Sequence, residues 1–241
     1  NGSIYPNGGA TRATWYFNFV SNIWERLTDT PGSFYSSVVG YSLTSDWDPV
    51  SKKILVVGNY DSANFNPADG SWALHGNYQE QLHGQTGALD PVRRKFVTIG
   101  RGNALIYSVD SNGAVGARSS LGATGATEIQ NVDAPGLVYD PVSTKLVAWG
   151  SGGSVYTLDL DTKVWTKVDA LGTVSPSNPY IANSYYYGTF GRFRYMPIYN
   201  AFILVTDIDS NVFVYKLPGA TTPTTPTVSL TATPTTITSG G

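Results

Sequence analysis

Acid–base chemistry near neutral pH falls first to histidine, and this chain has two, His75 and His83. Both lie in one irregular stretch, Trp72-Ala-Leu-His-Gly-Asn-Tyr-Gln-Glu-Gln-Leu-His83. An imidazole there could carry a proton; the alternative is a pair of turn or surface histidines. A second cluster is Tyr185-Tyr-Tyr-Gly-Thr-Phe-Gly-Arg-Phe-Arg-Tyr195. Its phenols and its two guanidinium groups, Arg192 and Arg194, could grip an acidic sugar, because arginine meets a carboxylate through two parallel hydrogen bonds. Two residues apart in a strand, these arginines would share a face. The alternative is that the tyrosines pack between sheets and the arginines line a solvated channel. A third pattern, Asp207-Ile-Asp209-Ser-Asn211, opens like a calcium loop. Val212 stands where such a loop needs glycine and Pro218 where it needs glutamate, so the pattern reads as a hairpin turn, with no metal site expected.

The elements that must position these residues are strands. Four segments repeat: Trp47-Asp-Pro-Val-Ser-Lys-Lys-Ile-Leu-Val-Val-Gly58, Leu89-Asp-Pro-Val-Arg-Arg-Lys-Phe-Val-Thr-Ile-Gly100, Tyr139-Asp-Pro-Val-Ser-Thr-Lys-Leu-Val-Ala-Trp-Gly150 and Tyr195-Met-Pro-Ile-Tyr-Asn-Ala-Phe-Ile-Leu-Val-Thr206. In each, proline sets the first turn corner, a polar stretch follows, and a β-branched run forms a buried strand. Spacings of 42, 50 and 56 residues between the prolines are those of propeller blades. The pattern predicts a strand before each turn, at 36–43, 86–89, 136–139 and 191–195. It predicts a third strand after each, at 71–74, 104–109, 154–160 and 211–217. Fourth strands are expected at Val164–Val168 and Ile23–Leu27, the latter preceded by a third at Trp15–Phe19. The fold class is therefore all-β, a propeller of four-stranded antiparallel blades with about 4–5 blades visible. The preferred explanation is the C-terminal part of a larger ring; the alternative is a compact five-bladed ring closed by residues 1–14.

The repeats resemble kelch-type β-propellers, as in galactose-oxidase-like secreted bacterial proteins. The shared features are inner strands ending in Val56-Val-Gly58, Thr98-Ile-Gly100 and Ala148-Trp-Gly150, the Val155–Asp159 strand, and tryptophans opening the fourth strands at Trp24 and Trp165. The usual double glycine of kelch repeats is absent. Galactose oxidase itself implies a copper site with a cysteine-linked tyrosine, and this chain has no cysteine. Propeller polysaccharide lyases, the ulvan lyases among them, use histidine, tyrosine and arginine for β-elimination. That resemblance would give His75 or His83, Tyr187, Arg192 and Arg194 the catalytic roles.

Composition narrows the choice. Of 241 residues, 13% are charged, and the formal net charge is −2. No basic surplus exists for nucleic acid, and no apolar run spans a bilayer. Gly100-Arg-Gly102 and Gly150-Ser-Gly-Gly153 precede strands, so they are no dinucleotide fingerprint. No nucleophile-elbow motif occurs. Tyr60, Phe65, Trp72, Tyr78 and Tyr180 are the aromatics expected to be exposed, in or near the 59–66 and 175–187 loops. Trp72, Tyr78, Tyr180, Tyr185 and Arg192 are thus the ligand-binding candidates. Residues 1–217 read as the propeller. Residues 218–226 read as a Thr/Pro linker. Residues 227–241 resemble the first strand of a bacterial Ig-like domain; a disordered tail is the alternative. The resulting expectation is an extracellular or cell-surface binding or assembly module without a cofactor. Its partner would be carbohydrate, a surface protein or a further copy of itself. The alternative is a lyase acting on a uronate-containing polysaccharide.

Overall fold

The computed structural model describes residues 13–31, 43–58, 61–76, 84–180 and 188–219. Four antiparallel sheets stand as blades about a central channel. A hairpin of β1 (Ala13–Asn18) and β2 (Ile23–Asp29) precedes them. Blade 1 is β3 (Thr44–Asp48), β4 (Lys53–Val57), β5 (Ser62–Asn66) and β6 (Ser71–Leu74). Blade 2 is β7 (Thr86–Asp90), β8 (Lys95–Gly100), β9 (Asn103–Val109) and β10 (Val115–Ser120). A short strand, β11 (Thr124–Gly125), leaves blade 2 and pairs in parallel with the outer edge of blade 3. Blade 3 is β12 (Gly136–Asp140), β13 (Lys145–Trp149), β14 (Val155–Asp159) and β15 (Val164–Val168). Blade 4 has three described strands, β16 (Phe193–Met196), β17 (Ala201–Val205) and β18 (Val212–Tyr215). Among the described residues, no helix is long and apolar enough to cross a membrane.

The core lies between blades. A blade sandwiched on both sides buries both faces, so its strands lose the usual apolar–polar alternation. In β13, Leu146 and Ala148 pack toward blade 2, with Ala88, Val97 and Ile99. The alternate residues Val147 and Trp149 pack toward blade 4, with Phe193, Phe202 and Leu204. Leu55 and Val57 of blade 1 meet Phe96, Tyr107 and Val115 of blade 2 in the same way.

The Asp-Pro turns lock these layers. Asp48, Asp90 and Asp140 end the inner strands and are buried. Each accepts the N–H two residues on, from Val50, Val92 and Val142, at 2.9–3.0 Å. Blade 2 then reaches both neighbours with adjacent arginines. Arg94 forks onto Asp48 of blade 1, with one contact of 2.8 Å. Arg93 joins its own Asp90 at 2.9 Å, Asp161 of blade 3 at 2.7 Å and the Thr144 carbonyl at 2.8 Å. Burial pushes the Asp48 carboxyl up, but Arg94, Ser51 and the Val50 N–H outweigh it and hold the group below the ordinary range.

Several expectations shift. The strand placed at 36–43 is Thr44–Asp48, immediately before the turn, because the buried aspartate itself ends the strand; residues 32–42 lie outside the described set. The 71–74 strand is the fourth of blade 1, not the third. The third is Ser62–Asn66, within the stretch read as a loop. Polar Ser62 and Asn64 hid it, since their side chains are buried and bonded to Val115 and Gly113 carbonyls of blade 2. Phe65, expected to be exposed, is buried against Trp72. The β1–β2 and β14–β15 pairings match the expected strands.

Two outcomes follow. The fifth turn residue is left-handed in every blade, at Lys52, Arg94, Thr144 and Asn200. Thr144 (φ 54°) is the β-branched one, so Thr144→Gly should raise stability by about 1 kcal/mol, measured by urea unfolding. Because the Asp48 carboxyl lies lower in the folded than in the unfolded state, its contribution is present above roughly pH 4 and lost as pH falls through the folded value. Acid titration of stability should show this loss in the native protein, and Arg94→Met should flatten it while destabilising the protein by about 3 kcal/mol.

Candidate functional site

The four inner strands all begin at one end of the channel, and a pocket of about 270 Å³ opens there. Blade 1 contributes Leu43, Thr44 and Ser45, blade 2 Gly84 to Gly87, blade 3 Leu137, and blade 4 Phe190, Gly191 and Arg194. The approach of β3 to β7 needs glycine at 87, where a Cβ would stand 2.6 Å from Phe96 and 2.7 Å from Thr44. A chain of backbone bonds frames the mouth, from Ala134 N–H to the Gly84 carbonyl at 2.7 Å and from Thr189 N–H to the Ala134 carbonyl at 2.9 Å. Ala134 and Phe190 are both left-handed there, with φ of 47° and 43°. The surrounding backbone bonds hold both in this conformation.

Several buried polar groups of the described residues lack a partner, and Gln85 differs from the others in that both atoms of its amide do. It is 4% exposed, it lines the pocket, and neither its amide nitrogen nor its amide oxygen has a hydrogen-bond partner among the described residues. Arg194 faces the same space from β16. Its Nε donates to the Gly191 carbonyl at 2.7 Å, which fixes the guanidinium. Asp46 of β3 lies near enough to feel that charge. Burial pushes its carboxyl up, and the Leu89 and Trp47 N–H groups (2.9 and 2.8 Å) and Arg194 pull it back only in part.

The sequence candidates are dispersed. Arg192 and Arg194 do not share a strand face. Arg192 ends a 3₁₀ turn, Phe190–Arg192, and donates to the Gly188 carbonyl, whereas Arg194 lies in β16 and lines the channel. His75 follows the outermost strand of blade 1. Three strand spacings, about 14 Å, separate it from the channel wall. Its imidazole is pushed down by burial, against the pull of Asp110 and Asp61. The lyase set therefore does not converge through His75; His83 and Tyr187 lie outside the described residues, as do Tyr60, Tyr78 and Tyr185. Trp72 is half-buried against Phe65 rather than displayed. Tyr180 is half-buried in the segment that Asn178 clasps to the mouth through the Asp133 carbonyl at 2.8 Å. Asp207, Asp209 and Asn211 lie in the turn joining β17 to β18, where Asp207 accepts the Ile208 N–H. No cluster that could hold a metal ion occurs among the described residues. Gln85 escaped sequence reading because a single glutamine in Gly84-Gln-Thr-Gly87 carries no pattern.

A larger cavity, about 470 Å³, lies between blades 3 and 4. Trp149, Phe193, Phe213 and Tyr215 make it mainly apolar. It continues the inter-blade core, with Asp169 and Lys216 also in its lining.

No protein-family model matches this chain, and no curated protein does. Solved structures resemble it. A protein of unknown function from Bacteroides thetaiotaomicron aligns with a TM-score of 0.55 and 14% identity, over 87% of this chain and 54% of the other. An auxiliary nutrient binding protein from Bacteroides ovatus aligns at 0.50 and 14%, over 86% and 50%. A luciferin-regenerating enzyme aligns at 0.52 and 12%, over 87% and 73%. At these identities the likeness is one of fold. This chain spans about half the length of the two Bacteroides proteins.

A buried amide without partners costs about 1–3 kcal/mol per unsatisfied group. Gln85→Met keeps the shape and removes that cost, so the melting temperature should rise by at least about 2–4 °C, the shift of ~1 kcal/mol in a chain of this size. A fall of that size in a thermal melt would mean the amide is satisfied within the fold.

Proposed function

We propose that this chain is an extracellular, non-catalytic β-propeller that binds surface carbohydrate at the mouth of its central channel. The observation that carries the reading is the Gln85 amide, buried in a polar pocket without a protein partner. An amide offers two donors and one carbonyl acceptor, and a sugar hydroxyl both gives and takes a hydrogen bond. A site that leaves polar groups unpaired when empty discriminates strongly for a ligand that pairs them. Walls drawn from all four blades give the rigid framework such a site needs. The low charge content suits an outer surface, and a nutrient binding protein of the same fold supports a binding role. A kelch-type lineage, the 218–226 linker and an Ig-like segment at 227–241 belong to the same proposal.

The test is a glycan array probed with the full chain, followed by calorimetry on the best ligand. Gln85→Met should weaken binding at least tenfold while the protein stays folded. An array with no bound glycan, or a Gln85→Met variant that binds unchanged, overturns the reading; capture of a protein partner instead would redirect it.

A further inference from the structure

We propose that the channel-mouth pocket selects a sugar bearing a carboxylate, with Arg194 taking the carboxylate and Gln85 the ring hydroxyls. This rests on the carbohydrate reading above and adds the charge class of the ligand.

Arg194 is the charged side chain among the described residues lining the pocket. Its Nε is occupied by the Gly191 carbonyl at 2.7 Å, so the guanidinium is held in place before any ligand arrives. The two terminal nitrogens have no hydrogen-bond or ion-pair partner among the described residues. Other arginines at this end are engaged: Arg192 donates to the Gly188 carbonyl and Arg101 pairs with Asp133 at 3.0 Å. Arg93 and Arg94, at the Asp-Pro turns, are likewise taken by aspartates. Arg194, like Arg192, is bonded to a backbone carbonyl rather than to a carboxylate, and of the two it is Arg194 that lines the pocket. Asp46 feels the Arg194 charge but makes no hydrogen bond or ion pair with it, its oxygens accepting the Trp47 and Leu89 N–H groups.

The shape of the donors selects the ligand. The two terminal nitrogens form a planar fork whose spacing matches the two oxygens of a carboxylate. A volume near 270 Å³ holds about nine waters at the liquid share of ~30 Å³ each. That is room for one sugar ring rather than a buried chain. The ligand is therefore a terminal or protruding uronate-type residue, entering carboxylate-first toward β16 with its hydroxyls toward β7.

Calorimetry on the full chain tests this with glucuronate and galacturonate, their neutral parents glucose and galactose, and glucose 6-phosphate. The acidic sugar should bind roughly tenfold to a hundredfold tighter than its neutral parent. Arg194→Gln should lower the acidic sugar to the level of the parent and leave the parent unchanged. Arg194→Lys should restore only part of the preference, since it keeps charge but loses the fork. Because Arg194 is exposed and Arg194→Lys keeps the charge near Asp46, that variant should melt as the native protein does. Equal affinity for acidic and neutral sugars overturns the charge inference and leaves the carbohydrate reading standing. Tighter binding of the sugar phosphate overturns the carboxylate assignment. Binding of none of these sugars by a chain that does capture larger glycans overturns the single-residue fit, and binding of no carbohydrate at all removes both readings.

Discussion

Each inner strand of blades 1 to 3 ends in a carboxylate removed from solvent, at Asp48, Asp90 and Asp140. A buried charge is tolerable only if its lone pairs are filled. The chain fills them locally, through the turn N–H groups, and at blades 1 and 2 through Arg94 and Arg93 of blade 2. Because Arg94 reaches back to blade 1 and Arg93 reaches on to Asp161 and Thr144 of blade 3, satisfying the turns also sets the spacing of three blades. Hydrophobic burial between blades is larger in sum but has no direction. The arginine forks supply the direction. Blade 4 has Met196 at the aspartate position and closes its turn differently, with Tyr195 Oη donating to Asn200 at 2.9 Å.

The two ends of the channel differ in their charges. At the turn end, Asp48 and Asp90 are paired with arginines. At the mouth, the Gln85 amide is buried without a partner among the described residues and Arg194 bonds through Nε to a backbone carbonyl. Left-handed residues stand at both ends, Ala134 and Phe190 at the mouth and Lys52, Arg94, Thr144 and Asn200 at the turns. These features each cost stability, of order 1–3 kcal/mol for the strained residues. They persist on a framework that the turn end and the inter-blade layers hold rigid. Among the described residues His75 stands a blade's width from this pocket, so it is not one of the groups that line it.

Much of the fold was legible in sequence. The Pro turns at 49, 91, 141 and 197, three of them Asp-Pro, located the turn after each innermost strand, and the β-branched runs, expected as inner strands, are the second strands of the four blades. Blade 1 was misread by one strand because Ser62 and Asn64 look like loop residues. Their polarity is satisfied only across the blade interface, by the Val115 and Gly113 carbonyls some fifty positions away. The site was not legible, since the arginine pair reads as one face in a strand and is split by a 3₁₀ turn.

The sequence by itself determined where the four Pro turns fall and which run follows each as a strand, because those choices rest on neighbouring residues: proline geometry, aspartate capping and β-branched runs. Tertiary structure alone decided what each side chain meets. Trp24 and Trp165 hold the same position in matching strands, yet Trp24 is 65% exposed and Trp165 1%. Trp165 is covered by β11 and the layer shared with blade 2, whereas Trp24 rests against Phe17 of its own hairpin. Burial, pairing and the lone amide of Gln85 are properties of contacts between distant segments, and local pattern carries no record of them.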